Sequence, residues 1–505
     1  MGPVCSGEIN RSPTFETMRV LFFLVCHTLA LAASGQTLSS ALQQVASNNG
    51  LVGMSVVAIC NGQVSDVVHT GYGDLQRGIP VEDSTRYRIA SISKLVTAIG
   101  LMKLHEQSAF GLDDDVSTAL GFTLRNPSFP NTPITYRMLL SHQSSLQDGS
   151  GYGPFLSATY ASAPPPPIAQ LVTPAGAWYT ADLWRTEAPG TWFAYSNLNY
   201  GILGTLIEAH SGLRFDVFMR QQVLLPLGIH GSYNIQDLND LDHLAVLYRN
   251  NNPQVDDLGG IMPTPPDLSQ YAPGTNGLFF APQGGLRASA LELGNVALML
   301  LQNGAWNGTQ ILQPTSVAAM LGDEWTYNGN NGDDYYGLFR SWGLGVHRIT
   351  AQPGFDVVLP GTAMFGHAGE AYGLISDLYL DPASGQGLVF LTNGYAPGYA
   401  YQFGQSSAFY SVEEEVYAAL DTHAFPACNT VGTGTTDTAR ELVVHDRSIT
   451  WHGKGGLHLR VYDGLGRAID ASWMGPGMTW QASWSGPLFI LAEPGTGDPF
   501  RLRLP

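Results

Sequence analysis

Residues 364–393 limit what this chain can fold into more than any other stretch. Two apolar runs, 374–380 and 387–391, close on Asp381-Pro382-Ala383-Ser384-Gly385, which predicts two antiparallel strands joined by a turn. A second hairpin is expected from residues 52–60 and 63–69 around Asn61-Gly62, a dipeptide suited to the positive φ angles of tight turns. Helices are expected over 37–50, from Ser91 to about Ser108, from Leu198 to His210 with Gly212 as the stop, over 290–303 and over 412–420. Residues 147–186 and 230–280 are rich in Gly, Pro and polar residues and read as irregular surface segments. Helices mixed with antiparallel hairpins give an α/β fold of the α+β kind.

The most chemically informative segment is Arg88-Ile89-Ala90-Ser91-Ile92-Ser93-Lys94. In a helix that starts at Ser91, Ser91 and Lys94 stand one turn apart on one face. A serine hydroxyl is a poor nucleophile until a neighbouring base takes its proton. A lysine amine is that base once a helix N-terminus and a dry pocket disfavour its ammonium form. The spacing alone equally fits a surface lysine on an amphipathic helix. The chain has three lysines, Lys94, Lys103 and Lys454, and Lys94 alone has a serine three residues before it.

Composition removes some classes of function. A formal net charge of −18 argues against nucleic acid and anionic membrane surfaces as partners. Residues 1–36, with translation starting at Met18, read as a secretory signal peptide: a basic start, a short apolar core broken by His27, then small residues. That core is too short for a transmembrane anchor, and the reading places the protein outside the cell or on its surface, with the periplasm as the alternative. Its removal leaves Cys60 and Cys428, which either pair in an oxidising compartment or stay as thiols, Cys60 then being buried at the end of a strand. No zinc-ligand spacing occurs.

Further motifs follow in order. Leu139-Leu140-Ser141-His142 runs into Ser144-Ser145-Leu146; Pro189-Gly190 leads to Tyr195-Ser196-Asn197; then come Gly284-Gly285-Leu286 and Gly366-His367-Ala368-Gly369. Tyr195, as tyrosinate or polarised phenol, could share a proton with Lys94. Asn197 could hold the lysine or a substrate amide. His367 offers a donor or a positive charge at a strand edge able to pair with an extended substrate. Alone each is weak: Tyr248-Arg249-Asn250 repeats the Tyr-x-Asn pattern, and His69 and His210 also stand two residues before a glycine.

Together and in this order, over residues 40–420, these motifs resemble the serine hydrolase family of class C β-lactamases, D-alanyl-D-alanine carboxypeptidases, D-aminopeptidases and related esterases. The resemblance implies an antiparallel β-sheet flanked by helices, a mostly helical subdomain, and an active site between them. It implies an acyl-enzyme on Ser91, Lys94 and Tyr195 as the proton-transfer pair, Asn197, His367, Gly369 and Glu370 around a small-molecule or peptide substrate, and an oxyanion hole from the Ser91 and Glu370 N–H groups. It implies no metal and no cofactor. The chain departs from the β-lactamase pattern in having His367, followed by Glu370, where a lysine is usual, and Ser145 where glycine is frequent. Both departures favour an esterase or peptidase over a β-lactamase. A silent peptidoglycan-peptide-binding protein is a further reading.

Residues 37–425 are thus expected to form the hydrolase domain and 426–439 a linker. Residues 440–505 alternate like strands and are expected to form a small C-terminal β-sandwich. That last part, through Val461-Tyr462-Asp463-Gly464-Leu465-Gly466-Arg467, resembles the sorting domains of type IX secretion, with the secretion machinery as partner; a carbohydrate- or wall-binding β-module, acting as an adhesin, is the alternative.

Overall fold

The structure, a computed structural model, describes residues 36–429 and the segments 442–445, 448–451, 457–463, 468–474, 478–481, 488–494 and 500–504. The expected signal peptide, up to residue 35, and most of the expected linker lie outside the described residues.

Helix α1 (Leu38–Asn48) is capped by the Thr37 hydroxyl, which accepts from Ser40 N–H. Strands β1 (Gly53–Cys60) and β2 (Gln63–Asp74) form the first hairpin, and β3 (Ile79–Pro80) borders β2. Then come α2 (Ile92–Glu106), α3 (Tyr136–Leu140), α4 (Tyr152–Ala161), α5 (Asn197–Ser211) and α6 (Ala290–Leu301). The remaining strands are β4 (Trp325–Thr326), β5 (Ser341–Trp342), β6 (His347–Ile349), β7 (Met364–Ala371), β8 (Leu374–Asp381) and β9 (Gln386–Thr392). Helices α7 (Ser411–His423) and α8 (Phe425–Asn429) follow.

Strands β1–β9 make one antiparallel sheet in the order β4-β5-β6-β7-β8-β9-β1-β2-β3. Its central strands β1, β8 and β9 are buried on both faces, which is why they read as continuous apolar runs rather than alternating ones. One face packs Val57, Leu378 and Val389 against α2 and α6 in the larger core, which continues into the helical region through Leu139, Phe155 and Leu203. The other face packs Met54, Ile375 and Phe390 against α1 and α7.

The sheet and the helices at these places agree with the sequence. Three local readings differ. Residues 147–186 contain α4, whose Gly153 and Pro154 disguise it; proline in a first helical turn displaces no intrahelical hydrogen bond. Helix α2 is buried on every side, from Ile92 to Met102, rather than amphipathic, because it is clasped between the sheet and α5. The chain remains helical to Asn429, beyond the 425/426 boundary, and Cys428 on α8 is bonded to Cys60 at the end of β1; Cys60 is not a free thiol.

In the C-terminal part, the described strands form two further antiparallel sheets, one of Leu442–His445, Ser448–Trp451 and Thr479–Gln481, the other of Ala468–Met474, Leu457–Asp463, Leu488–Pro494 and Phe500–Leu504. The turn 464–467 lies outside the described residues. No described helix is long and apolar enough to cross a membrane.

Candidate active site

Ser91 sits where three pieces of backbone meet. The lead-in strand Arg86–Arg88 pairs antiparallel with Arg287–Ser289, and Ile89 N–H donates to Leu286 O at 2.9 Å. Ala90 takes φ 49°, a left-handed conformation uncommon for alanine, and the chain turns there into α2. Ser91 stands at the N-cap position, yet its hydroxyl caps nothing. Serine normally spends its oxygen on the orphan N–H groups of the first turn; here it contacts Lys94 instead.

Lys94 is wholly buried, and burial lowers its amine to about 7, opposed by the negative charge of Asp148. Its Nζ lies 3.0 Å from Ser91 Oγ, 2.8 Å from Asn197 Oδ1 and 2.9 Å from Gln283 O. Two of these neighbours can only accept. A neutral amine has two N–H groups and one lone pair, so with both hydrogens donated to Asn197 and Gln283 the lone pair faces the serine hydroxyl. The arrangement is that of a base ready to receive the Ser91 proton.

Asn197, the first residue of α5, is aimed by Asp148. This carboxylate accepts from Asn197 Nδ2 at 2.8 Å, from Ser196 Oγ at 2.9 Å and from Leu198 N–H at 2.9 Å. It therefore caps α5 from outside and turns the Asn197 carbonyl toward Lys94. Asp148 escaped the sequence reading because it lies in the stretch taken as irregular, with no motif around it. Replacing Asp148 with alanine is expected to shift the acid limb of the kcat/KM profile to lower pH, since the charge that supports the Lys94 ammonium is gone. It should also cost about 1 kcal/mol of stability through the lost cap. A pH–rate profile and a denaturation curve check both; an acid limb that stays put or moves upward contradicts the coupling.

The Tyr195 hydroxyl is in hydrogen-bond contact with Ser91, and burial raises the phenol far above its usual range. This corrects the tyrosinate alternative: Tyr195 rests as a protonated phenol, able to pass a proton but not to start as the base. The Lys94 ammonium position lies 4.7 Å from the centre of its ring.

His367 is placed differently from expectation. It projects from β7 on the α2 side, buried behind Tyr195 with ring centres 6.1 Å apart. Burial, then the Lys94 charge, drive its imidazole well below the usual range, so it is neutral and brings no cation to the cleft. Its Nδ1–H donates to Ala368 O at 2.5 Å. Two neighbours on the same face, His142 and Trp342, were not singled out for this role: their ring centres lie 4.5 and 5.8 Å from that of Tyr195. Ser145 adopts φ 66°, as a glycine would, and is held there by donating to Glu187 O and accepting from Asn126 Nδ2, both at 2.7 Å. The loop keeps its path without the glycine.

Gly369 shows why β7 carries a glycine. A Cβ there would stand 2.9 Å from Ser91 N and 2.4 Å from Ser376 Oγ, so a side chain would collide with the backbone of the Ser91 turn. The close approach sets the β7 backbone around Gly369–Glu370 beside the Ser91 N–H, an arrangement able to offer converging donors. Strand β7 pairs with β6 only through Met364, Phe365 and Gly366; its remaining outer edge has no strand partner among the described residues. Along that edge runs a cleft of about 220 Å³, whose lining includes Ser91, Tyr195, Gly369, Glu370, Tyr410 and Glu413. Asn197 and His367 are not among its lining residues. Such a constellation can perform nucleophilic acyl transfer: an activated hydroxyl, a second proton carrier, and donors beside an open strand edge.

Comparison with known proteins agrees with this chemistry. The family model described as Beta-lactamase matches residues 38–402. The chain is 27% identical over 344 residues to penicillin-binding protein 4 of Amycolatopsis lactamdurans, covering 65% of this chain and 76% of that protein. It is 29% identical over 232 residues to the D-alanyl-D-alanine-carboxypeptidase/endopeptidase AmpH of Escherichia coli, covering 44% of this chain and 57% of that protein; here the match spans little more than half of the relative. The D-amino acid amidase of Ochrobactrum anthropi superposes with a TM-score of 0.55 at 21% identity, over 76% of this chain and 97% of that one, a likeness of fold.

Proposed function

Because the chain belongs to the Beta-lactamase family of serine hydrolases, we propose that it cleaves ester or amide bonds through an acyl-enzyme on Ser91. Lys94 takes the Ser91 proton as Oγ attacks the carbonyl carbon. The Ser91 and Glu370 N–H groups receive the oxyanion. As the tetrahedral intermediate collapses, the proton passes through Tyr195 to the departing oxygen or nitrogen. Water then attacks the ester carbonyl with the same pair removing its proton, and Ser91 is released with its hydrogen restored. Asn197 holds the lysine, and His367 supports Tyr195 from behind. The observation that carries this reading is the set of contacts around Lys94, in which two acceptors leave only the serine for its lone pair.

Relatives acting on D-alanyl peptides and D-amino acid amides support a peptide or small-ester substrate. A β-lactamase is the second reading, favoured by the family match; the neutral His367 and the exposed acidic Glu370 at the cleft weigh against an anionic β-lactam. The test is hydrolysis of a short-chain nitrophenyl ester, a D-Ala-D-Ala peptide and a chromogenic cephalosporin, by the wild type and Ser91→Ala in parallel. Ser91-dependent turnover of the first or second with little of the third is the expected result. Strong cephalosporin turnover would put the β-lactamase reading first. Turnover of none, together with a Ser91 that fluorophosphonate does not label, would leave a binding protein.

The reading extends to export: the protein is secreted through its N-terminal signal, and residues 440–505 serve as a sorting domain removed on the way. Intact mass of the secreted protein checks this, because retention of the C-terminal strands would favour a surface-binding module.

A further inference from the structure

The motif Leu139-Leu140-Ser141-His142 takes no part in the steps at Ser91, yet its histidine is built around Tyr195. His142 follows the end of α3 and turns the chain with φ 57°, a left-handed conformation uncommon outside glycine. From that turn it reaches the segment carrying Tyr195 twice. Its carbonyl accepts from Ala194 N–H at 2.9 Å, and its Nδ1 accepts from Ser196 N–H at 3.1 Å. One residue thus holds the main-chain N–H on either side of Tyr195. Its ring also packs on the Tyr195 ring, with centres 4.5 Å apart, and against Tyr200 of α5 at 5.4 Å and Trp342 of β5 at 5.3 Å.

That grip decides where the Tyr195 hydroxyl points. The hydroxyl meets Ser91, and the Tyr195 carbonyl accepts from the Tyr335 hydroxyl at 3.1 Å. A side chain with one polar contact at its tip takes its aim from the backbone that bears it and from the rings around it. Proton transfer works only within hydrogen-bond reach, so a small shift of the 194–196 segment takes Tyr195 out of line.

One tautomer alone permits the grip. Both polar neighbours of Nδ1 are donors: Ser196 N–H, and Asn199 Nδ2 at 3.4 Å, whose Oδ1 already accepts from the Ser144 hydroxyl at 2.7 Å. A hydrogen on Nδ1 would face the Ser196 N–H instead of receiving it. Burial, then the charges of Lys94 and His367, hold the imidazole well below its usual range. It is therefore neutral, with its hydrogen on Nε2.

We propose that His142 is a positioning residue for the Ser91 reaction: as the neutral Nε2–H imidazole it fixes the 194–196 segment through its carbonyl and its Nδ1, and so aims the Tyr195 hydroxyl at Ser91. His142 is not among the residues lining the cleft; it acts through Tyr195. This rests on the reading of Ser91 as nucleophile and Tyr195 as its proton carrier.

Two substitutions separate the grip from packing. Asparagine carries an acceptor where Nδ1 stands and tolerates positive φ; glutamine carries its amide one bond further out, where Nε2 stands. His142→Gln should lower kcat for a short-chain nitrophenyl ester by about 10²-fold with KM little changed, the scale of a misaligned catalytic group. His142→Asn should recover at least about tenfold of that loss. In labelling of Ser91 by fluorophosphonate, Lys94 takes the serine hydrogen and fluoride leaves without a proton. His142→Gln should therefore slow labelling far less than turnover. Nitrogen NMR of the isotope-labelled wild type, with the signal identified by its loss in His142→Asn, should show His142 neutral and carrying its hydrogen on Nε2. A hydrogen on Nδ1, equal losses of kcat in the two variants, or a glutamine variant with unchanged kcat would overturn the proposal. The spectrum is that of the wild type, so it can refute the proposal even if His142→Gln does not fold. A wild-type Ser91 that never reacts with fluorophosphonate would defeat the nucleophile reading instead, and the spectrum would still decide whether His142 holds Ser196 N–H.

Discussion

Ser91→Ala is expected to lower turnover of every substrate of this protein by about 10⁴-fold or more, the scale on which nucleophile removal acts in serine hydrolases. The fold should survive the change. The Ser91 hydroxyl caps no helix, and the backbone around it is set by the Ile89–Leu286 hydrogen bond and by Ser376, whose hydroxyl donates to Ile89 O at 2.9 Å. The thermal midpoint should therefore stay close to that of the wild type while covalent labelling disappears. Retention of more than about a hundredth of the activity, well above that scale, would place the nucleophile elsewhere.

Lys94→Met is expected to produce an opposite pair of effects. Loss of the base should lower kcat by about 10³-fold or more, near the upper part of the range for general-base removal. In the wild type kcat/KM should rise through pH about 7, as the buried amine loses its proton. Stability carries the same signature. The unfolded chain keeps this proton up to about 10.5 and the folded chain only up to about 7. Between those values the unfolded state binds more protons, so stability rises with pH. The burden of the buried lysine is fully present below 7 and amounts to roughly 5 kcal/mol for a shift of this size. Lys94→Met removes that slope, although Asn197 Oδ1 and Gln283 O lose a donor worth about 1 kcal/mol each. Lys103, half-buried and lowered by that burial, leaves a remainder of its own. Denaturation curves across this pH range, on both proteins, are the measurement; equal slopes would mean that Lys94 is not held neutral by the fold.

How far the sequence could be read follows from what kind of signal each feature leaves. Ser91 and Lys94 are joined by helical spacing, and the two hairpins by turn chemistry and apolar runs, so both were legible before any coordinates. Gly369 was legible as a motif member, but the reason for it, a backbone approach to Ser91, is a tertiary fact. Asp148 and Gln283 act across 49 and 189 residues of separation, through one carboxylate and one main-chain carbonyl, and a main-chain carbonyl has no residue type to recognise. The charge state of His367 was beyond reach for a related reason. It depends on burial behind Tyr195 beside Lys94, and burial is decided by packing of distant segments. Helix α4 was missed because its composition, with Gly153 and Pro154, is that of a loop while its position in the first turn makes both residues harmless.

The Cys60–Cys428 bond joins residues 368 positions apart, and it does so at the far end of the catalytic body. Helix ends normally fray, and a newly cut chain frays most. Here a protease acting after Asn429 would leave a terminus already stapled to a central strand of the sheet. The enzyme can shed whatever follows, in an oxidising medium, without its last helices peeling away from the sheet that carries the cleft.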